Sequence, residues 1–340
     1  MPTILVTGSA GFIGFYIAKT LLAAGHTVVG VDNFNAYYAA ELKRARTDIL
    51  SGWGNFLPVE IDLADTGSTT RCCMEYRPEI ICHLAAQAGV RYSLINPYTY
   101  ERANLAGFIN LIENARSLSV KRFVYASSSS VYGGNIKLPY SEDDPVNTPV
   151  SLYAATKRAN ELIAYTYNHL YGLQTIGLRF FTVYGEWGRP DMAYWSFLEN
   201  ILNGEPIRVF NHGMNRRDFT YIDDIIRGVT TSLISTDLDG YEIINLGNNN
   251  PVELIDFIDI LEDLAGKPAI KQMVAAQPGD VVATYADITR ARKKLGFEPE
   301  TSIRQGLERF VRWYRDFPDL MKTVREHRLV GTRQRVPELQ

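Results

Sequence analysis

The run Gly8-Ser9-Ala10-Gly11-Phe12-Ile13-Gly14 constrains this 340-residue chain more than any other stretch. It follows a short β-branched segment, Thr3–Thr7 (TILVT), which reads as a buried strand. It opens a segment in which Phe12, Ile13, Tyr16, Ile17, Thr20 and Leu21 recur at helical spacing until Gly25. Three glycines are needed where a strand turns into a helix over a pyrophosphate. One makes the tight turn, one lets the backbone approach the phosphates, and one lets the helix pack against the sheet. The helix N-terminus then presents its partial positive charge to the anion. Glycines so spaced occur in ordinary loops, so context has to carry the reading. Asp32 ends the next strand-like run, His26–Val31, where a carboxylate accepts hydrogen bonds from both adenosine ribose hydroxyls and repels a 2′-phosphate. The pattern predicts NAD rather than NADP.

Further strand-like runs lie at Ile80–Leu84, Arg122–Ala126 and Gln174–Phe181, separated by helical stretches around 104–117 and 151–170. Strands alternating with helices predict parallel βαβ units, hence an α/β fold with a Rossmann-type doubly wound sheet. The alternation fades after residue 182, and turn-rich stretches such as 186–191, 203–206 and 248–251 follow. The expected organisation is an NAD-binding domain over 1–182, joined by part of 218–247, and a smaller C-terminal α/β substrate domain over 183–340. A helix over 303–315 is expected to close the compact part, with a polar, mobile tail from Gly331. Ligands of such folds lie at the carboxyl ends of the strands. Asp62-Leu63 and Leu84-Ala85-Ala86 fall at such ends, where either packing or a cofactor contact accounts for them.

Composition excludes several function classes. With 35 Lys+Arg against 38 Asp+Glu, the chain has no electrostatic grip on nucleic acid or an anionic membrane. Cys72 and Cys73 are adjacent and Cys82 stands alone, so no CxxC pair serves redox or zinc chemistry. The five histidines show no HxxxH spacing, and no protein-held metal is expected. Residues 1–18 carry no charge, but there is no basic start and glycines interrupt the run. The expectation is a cytoplasmic protein without a membrane anchor.

The chemistry therefore needs another source. Tyr153-Ala-Ala-Thr-Lys157 sits near the start of a helix that Ser151 is placed to cap. Residues i and i+4 share a helical face, which holds an ammonium near the phenol. A free tyrosine titrates near pH ~10, and moving it about three units corresponds to roughly 4 kcal/mol. A neighbouring ammonium and a cationic nicotinamide both act in that direction, towards a useful general base. Ser127–Ser130 follow the strand Arg122–Ala126, where hydroxyls are placed to orient a polyol and share in proton transfer.

These motifs together resemble the extended short-chain dehydrogenases/reductases. The matching stretches are GSAGFIG, Asp32-Asn33, HLAAQ at 83–87, SSSSVYG, YAATK and RRDFTYIDD at 216–224, spread over nearly the whole chain. Within that group the sequence is similar to the nucleotide-sugar epimerases. It is most similar to the UDP-glucuronate 4-epimerases through DNFNAYY at 32–38, AGVRYS at 88–93, LRFFTVYG at 178–185, WGRPDM at 187–192 and QPGD at 277–280. The resemblance implies Tyr153 as base, Lys157 as its partner, and Ser128 as the hydroxyl bridging substrate and Tyr153. It implies NAD contacts from Gly8, Gly11, Phe12, Ile13, Gly14, Asp32, Asn33, Asp62, Leu63, Leu84, Ala85, Ala86, Gln87, Asn104, Phe181 and Val183 as well as the Tyr–Lys pair. Tightly held NAD would take the C4 hydride of a UDP-sugar and return it to the other face of the rotated 4-keto sugar. Phe15-Tyr16 departs from the Ser-His common in relatives, and Glu186 from a Pro.

Dehydratases of this group carry Asp-Glu before Val-Tyr-Gly and UDP-xylose-forming decarboxylases a Glu; here Ser129 and Ser130 stand there. That favours epimerisation of UDP-glucuronate to UDP-galacturonate over decarboxylation. A neutral UDP-hexose remains the alternative substrate, and a silent NAD-binding regulator the alternative of another class. An epimerase must keep the substrate carboxylate near the plane of the C4 carbonyl, where the carbon–carboxylate bond does not overlap the π system. Ser128–Ser130 and Thr182 are candidate holders, and Arg189 and Arg91 candidate guanidiniums for the carboxylate or diphosphate. By resemblance Arg217 grips the diphosphate, with Gln277 and Asp280 on the ribose side. Phe210 either lies against the uracil or belongs to the core. Relatives are usually homodimers packed through two helices, here expected around 96–116 and 152–170.

Overall fold

The computed structural model describes residues 1–275 and 282–334. Seven strands form one parallel sheet: β1 (Thr3–Thr7), β2 (Thr27–Asp32), β3 (Phe56–Glu60), β4 (Ile80–His83), β5 (Arg122–Ser128), β6 (Thr175–Phe180) and β7 (Tyr241–Leu246). Their spatial order is β3-β2-β1-β4-β5-β6-β7, so the chain winds outward from β1 in one direction and then in the other. The reversal between β1 and β4 leaves a crevice at their carboxyl ends, where such sheets bind ligands.

The central strands are apolar without alternation because both faces are covered. On β1, Ile4 and Val6 join one core with Phe15 and Ile17 of α1 (Phe12–Ala23) and Leu42 of α2 (Ala40–Ser51). Leu5 points the other way, into a second core with Cys73 of α3 (Thr66–Tyr76) and Phe108, Leu111 and Ile112 of α4 (Gly107–Ser117). Ala164 of α5 (Leu152–Tyr171) completes that layer. A further helix, α6 (Ile222–Ile234), packs beside α1 on the first face.

Some expected boundaries move. The run Gln174–Phe181 does not continue as one strand: β6 stops at Phe180, and Thr182–Tyr184 pairs in parallel with Phe219–Tyr221 instead. Asp62 and Leu63 lie past the end of β3, not within it. β7 has no counterpart among the strands read from the sequence. The helix Ile303–Asp316 matches expectation, but it does not close the compact part. A last helix, Pro318–Gln334, follows and packs against α2, with Met321 and Val324 buried. Its helical backbone runs past Gly331, where a mobile tail was expected.

The remaining elements are short. Pro206–Phe210 pairs with Ile270–Val274, and Arg216–Arg217 lies between Val252–Glu253 and Ala283–Thr284. Their core is aromatic: Trp195, Phe310 and Trp313 pack edge to face or tilted, and Phe219 stacks on Phe257 at 4.6 Å. This core is continuous with the α1 face of the sheet.

Candidate active site

The crevice at β1 and β4 is an open cleft that runs from the glycine turn and Asp32 at one end to Ser128, Tyr153 and Lys157 at the other. Its floor is the glycine turn. Gly8 takes φ +70° and donates to the Val31 carbonyl at 2.7 Å, while the Gly11 amide donates to the Gly8 carbonyl at 2.9 Å. A Cβ on Gly8 would stand 2.9 Å from the Ala85 nitrogen, and one on Gly14 2.7 Å from the Gly8 carbonyl carbon. Only bare backbone fits this junction of two strands and a helix.

At the end of β2, Asp32 accepts the Phe34 amide at 2.9 Å and the Ala10 amide at 3.2 Å. Those bonds fix its carboxylate on the cleft wall with acceptor capacity left for ribose hydroxyls. Asn33, Asp62, Leu63, Leu84, Ala85, Ala86, Gln87, Phe181 and Val183 line the same cleft. Asp62 also accepts Arg102 Nε at 2.9 Å. Asn104, expected as a cofactor contact, is buried behind the wall. It accepts the Gln87 amide at 2.8 Å and donates to the Gln87 carbonyl at 3.0 Å, and so fixes the segment after β4.

Ser151 caps α5 as expected, accepting the Ala154 amide at 3.1 Å, and this points Tyr153 and Lys157 into the cleft beside Ser128. The electrostatics differ from the simple picture of an ammonium pressed on a phenol. Burial pushes the Tyr153 phenol above its usual value of 10, while the Ser128 hydroxyl bonded to it and the Arg189 charge pull back. Lys157 donates to the Ala126 carbonyl at 2.8 Å, and burial pushes its ammonium down to about 8. Ser128 also donates to the Ser130 hydroxyl at 3.0 Å and caps the short 3-10 turn Ser129–Tyr132 by accepting the Ser130 amide.

Arg189 lines the cleft opposite. Burial works against its charge, but the Asp191 carboxylate beside it outweighs that and holds the guanidinium protonated. Asp191 in turn accepts the Tyr37 hydroxyl at 3.1 Å. Ser129, Ser130, Thr182, Arg91, Phe210 and Arg217 are not on the wall of this cleft. Arg91 is exposed with its guanidinium 5.0 Å from the Phe210 ring centre; Arg208 approaches the same ring at 5.2 Å, so Phe210 is half-buried between cations and is not a core residue. Arg217 donates to the Arg216 carbonyl at 2.9 Å. Gln277 and Asp280 lie outside the described residues.

Several cleft residues were not read as contacts from the sequence. Lys43 of α2 donates to the Asn35 carbonyl at 2.8 Å; burial pushes it down to about 8, with Asp32 opposing. Tyr37, Tyr38 and Met192 also line the cleft, as does Ser127 of the expected hydroxyl cluster. Nothing in the spacing of a polar helix such as α2 marks one lysine as inward-facing. Behind the serines, Glu161 accepts Ser127 at 2.6 Å and Arg179 at 2.8 and 2.9 Å, a buried pair that ties β5 and β6 to α5. Among the described residues no group of His, Cys, Asp and Glu is arranged to hold a metal ion.

The chain is similar to known proteins over most of its length. The chain is 48% identical over 328 residues to UDP-glucuronate 4-epimerase 4 of Arabidopsis thaliana, covering 92% of this chain and 75% of that one. It superposes with a TM-score of 0.87 on UDP-glucuronic acid 4-epimerase of Bacillus cereus, solved with UDP-glucuronic acid and NAD, at 33% identity over 93% of this chain and 99% of that one. It superposes with a TM-score of 0.84 on UDP-glucose 4-epimerase of Thermotoga maritima, solved with UDP-glucose, at 30% identity over 93% and 99% of the two chains. Residues 4–247, carrying both the glycine turn and the Tyr–Lys pair, match one sequence family, and the chain belongs to it: the NAD dependent epimerase/dehydratase family.

Proposed function

We propose that this NAD-dependent enzyme interconverts UDP-glucuronate and UDP-galacturonate by inverting C4 through a transient 4-keto sugar. One observation carries the choice among related reactions. The carboxylates on the cleft wall are Asp32 and Asp62, both on the β2–β3 side, and none lines it beside Tyr153. Removing a proton from C5, or assisting loss of the carboxylate, calls for an acid or base there. Here the Ser127 and Ser128 hydroxyls and the cations of Lys157 and Arg189 stand on the wall, with no carboxylate among them.

NAD, when bound, supplies a reversible hydride acceptor at C4. Gly8, Gly11 and Gly14 would admit its pyrophosphate, Asp32 and Lys43 its adenosine ribose, and Tyr153 with Lys157 its nicotinamide half. Tyr153 removes the C4 hydroxyl proton through Ser128 and returns it after the sugar has rotated. Lys157, fixed on the Ala126 carbonyl, adds positive charge at that end of the cleft. Ser128 holds the C5 carboxylate near the plane of the C4 carbonyl, and Arg189 offsets its charge. We assign the diphosphate and uridine to the side bearing Arg217, Arg91 and Phe210. In this reading 1–182 with part of 218–247 forms the cofactor half and the remainder the UDP-sugar half.

Purified protein incubated with UDP-glucuronate without added NAD is expected to yield UDP-galacturonate by proton NMR. UDP-xylose or a 4-keto pentose as main product overturns the reading, and turnover of UDP-glucose alone moves the substrate to a neutral sugar. Tyr153→Phe is expected to abolish turnover while keeping bound NAD.

We also propose a homodimer. Tyr98 (81% exposed), Leu94 (73%), Leu162 (52%) and Tyr165 (52%) lie on the stretches 92–100 and α5. Light scattering at the monomer mass would refute it. Among the described residues no helix is long and apolar enough to cross a membrane. Cys72, Cys73 and Cys82 are all free and buried, which supports a reducing compartment, the cytoplasm.

A further inference from the structure

Arg46 of α2 is fully buried, yet it faces no carboxylate within ion-pair distance among the described residues. Its guanidinium is spent on backbone oxygens and one phenol. Nη1 donates to the Ala10 carbonyl at 2.8 Å and to the Tyr38 hydroxyl at 2.9 Å. Nε donates to the Trp187 carbonyl at 3.1 Å, and Nη2 to the Trp187 and Gly188 carbonyls at 2.6 and 2.9 Å. A buried cation with no anion is expensive and persists only where fixed dipoles replace its water. Here those dipoles come from three segments that are remote in sequence.

Each segment leads directly to the cleft. Ala10 lies in the glycine turn, and its amide holds Asp32. Tyr38 ends the segment that follows Asp32 and lines the cleft. Trp187 and Gly188 precede Arg189. That loop is under conformational constraint: Trp187 takes φ +53°, and the Arg189 amide donates to the Tyr194 hydroxyl at 3.1 Å. Arg46 itself is not on the cleft wall.

We propose that Arg46 is a positioning residue that locks the Arg189 loop to the cofactor turn, so that sugar-nucleotide use depends on a side chain touching neither substrate nor cofactor. The geometry demands a planar fork. A lysine at 46 offers one point charge and three donors from a single atom, which cannot serve carbonyls on both sides. The inference rests on the proposed reaction for its kinetic arm only.

The test is a double-mutant cycle with Arg46→Gln, Arg189→Gln and both changes, with Arg46→Lys as the second variant should Arg46→Gln not fold. Each is measured for kcat and KM with UDP-glucuronate and for the rate of NAD loss on dilution. Arg46→Gln and Arg46→Lys are expected to lower kcat/KM about 10- to 100-fold, the effect of a roughly 1 Å misplacement, mainly through KM. In the Arg189→Gln background the Arg46 change is expected to have little further effect on KM. Both Arg46 variants are expected to lose NAD faster than wild type, and Arg189→Gln is not. Additive effects on KM, or wild-type KM together with wild-type NAD retention in either folded Arg46 variant, overturn the proposal. If wild type does not turn over UDP-glucuronate the proposed reaction fails, and the NAD-loss arm alone then decides Arg46: faster loss supports it and unchanged loss overturns it.

Discussion

Gly14→Ala isolates the feature on which the cofactor site rests. Gly14 is the third residue of α1, an ordinary helical position. There alanine should stabilise by about 0.5–1 kcal/mol relative to glycine if nothing were in the way. Something is in the way. The new Cβ would fall within the shell of the Gly8 carbonyl oxygen and 2.7 Å from its carbon, against 3.4 Å where ordinary contact begins. The helix start and the turn must part by at least about 0.7 Å, and both are rigid backbone, not the end of a flexible side chain. Overpacking of this kind costs about 1–3 kcal/mol, so the clash wins and the sign reverses. If about 2 kcal/mol of it falls on the cofactor-binding geometry, NAD affinity drops roughly 30-fold. The assay is NAD content after gel filtration, titration of the stripped protein with NAD, and a urea unfolding curve. Gly11→Ala is the control: its Cβ would meet the Gly8 oxygen at 2.9 Å, a milder approach, and its effect should be smaller. A Gly14→Ala protein that is more stable than wild type and keeps its NAD would refute the reasoning.

Other predictions follow from buried groups. Glu161→Gln leaves Arg179 buried without its anion and should cost about 3–5 kcal/mol in urea unfolding; a loss below about 1 kcal/mol would show that the pair relaxes or hydrates. His83 is buried, its Nδ1 2.8 Å from the Thr7 hydroxyl, and burial followed by the Lys157 charge pushes it from 6.5 down to about 3. A folded pKa below the unfolded one stabilises the protein above pH 6.5, and that stability drains as pH falls towards 3. Between pH 7 and 5 the loss from this group is about 2 kcal/mol, and a His83→Gln protein should lack that part of the slope in urea midpoints. Arg189→Gln should raise KM for UDP-glucuronate by about 10- to 100-fold, the worth of a charge-assisted hydrogen bond. It should leave any turnover of UDP-glucose little changed; an equal loss on both sugars would separate Arg189 from the carboxylate.

Much of the site could be read along the chain because its parts are contiguous. The glycine turn, Asp32, the serines after β5 and the Tyr–Lys turn of α5 are short motifs, and local geometry alone fixes how their members face one another. The parallel sheet was readable for a similar reason: strands buried on both faces are apolar runs, as in Ile80–His83 and Thr175–Phe180. β7 escaped because Tyr241–Leu246 carries Glu242 and Asn245, which are buried by partners far away in sequence. The last helix escaped because its polar sequence is held by Arg325 and Arg328 reaching to the end of the helix Ala193–Asn203 and to Glu205 beyond it.

The sequence by itself determined the cofactor class, and it singled out the Tyr–Lys pair and the lack of a carboxylate at Ser129 and Ser130, since each depends on residue type at a fixed local spacing. Only the tertiary structure decided that Asn104 lies behind the cleft, that Lys43 lines it, and that burial holds the Tyr153 phenol high while Lys157 is engaged by a carbonyl. It alone decided that Arg46 joins three distant segments. Burial, and with it every shift in charge, comes from atoms that are close in space and distant in the chain, and no local spacing encodes them.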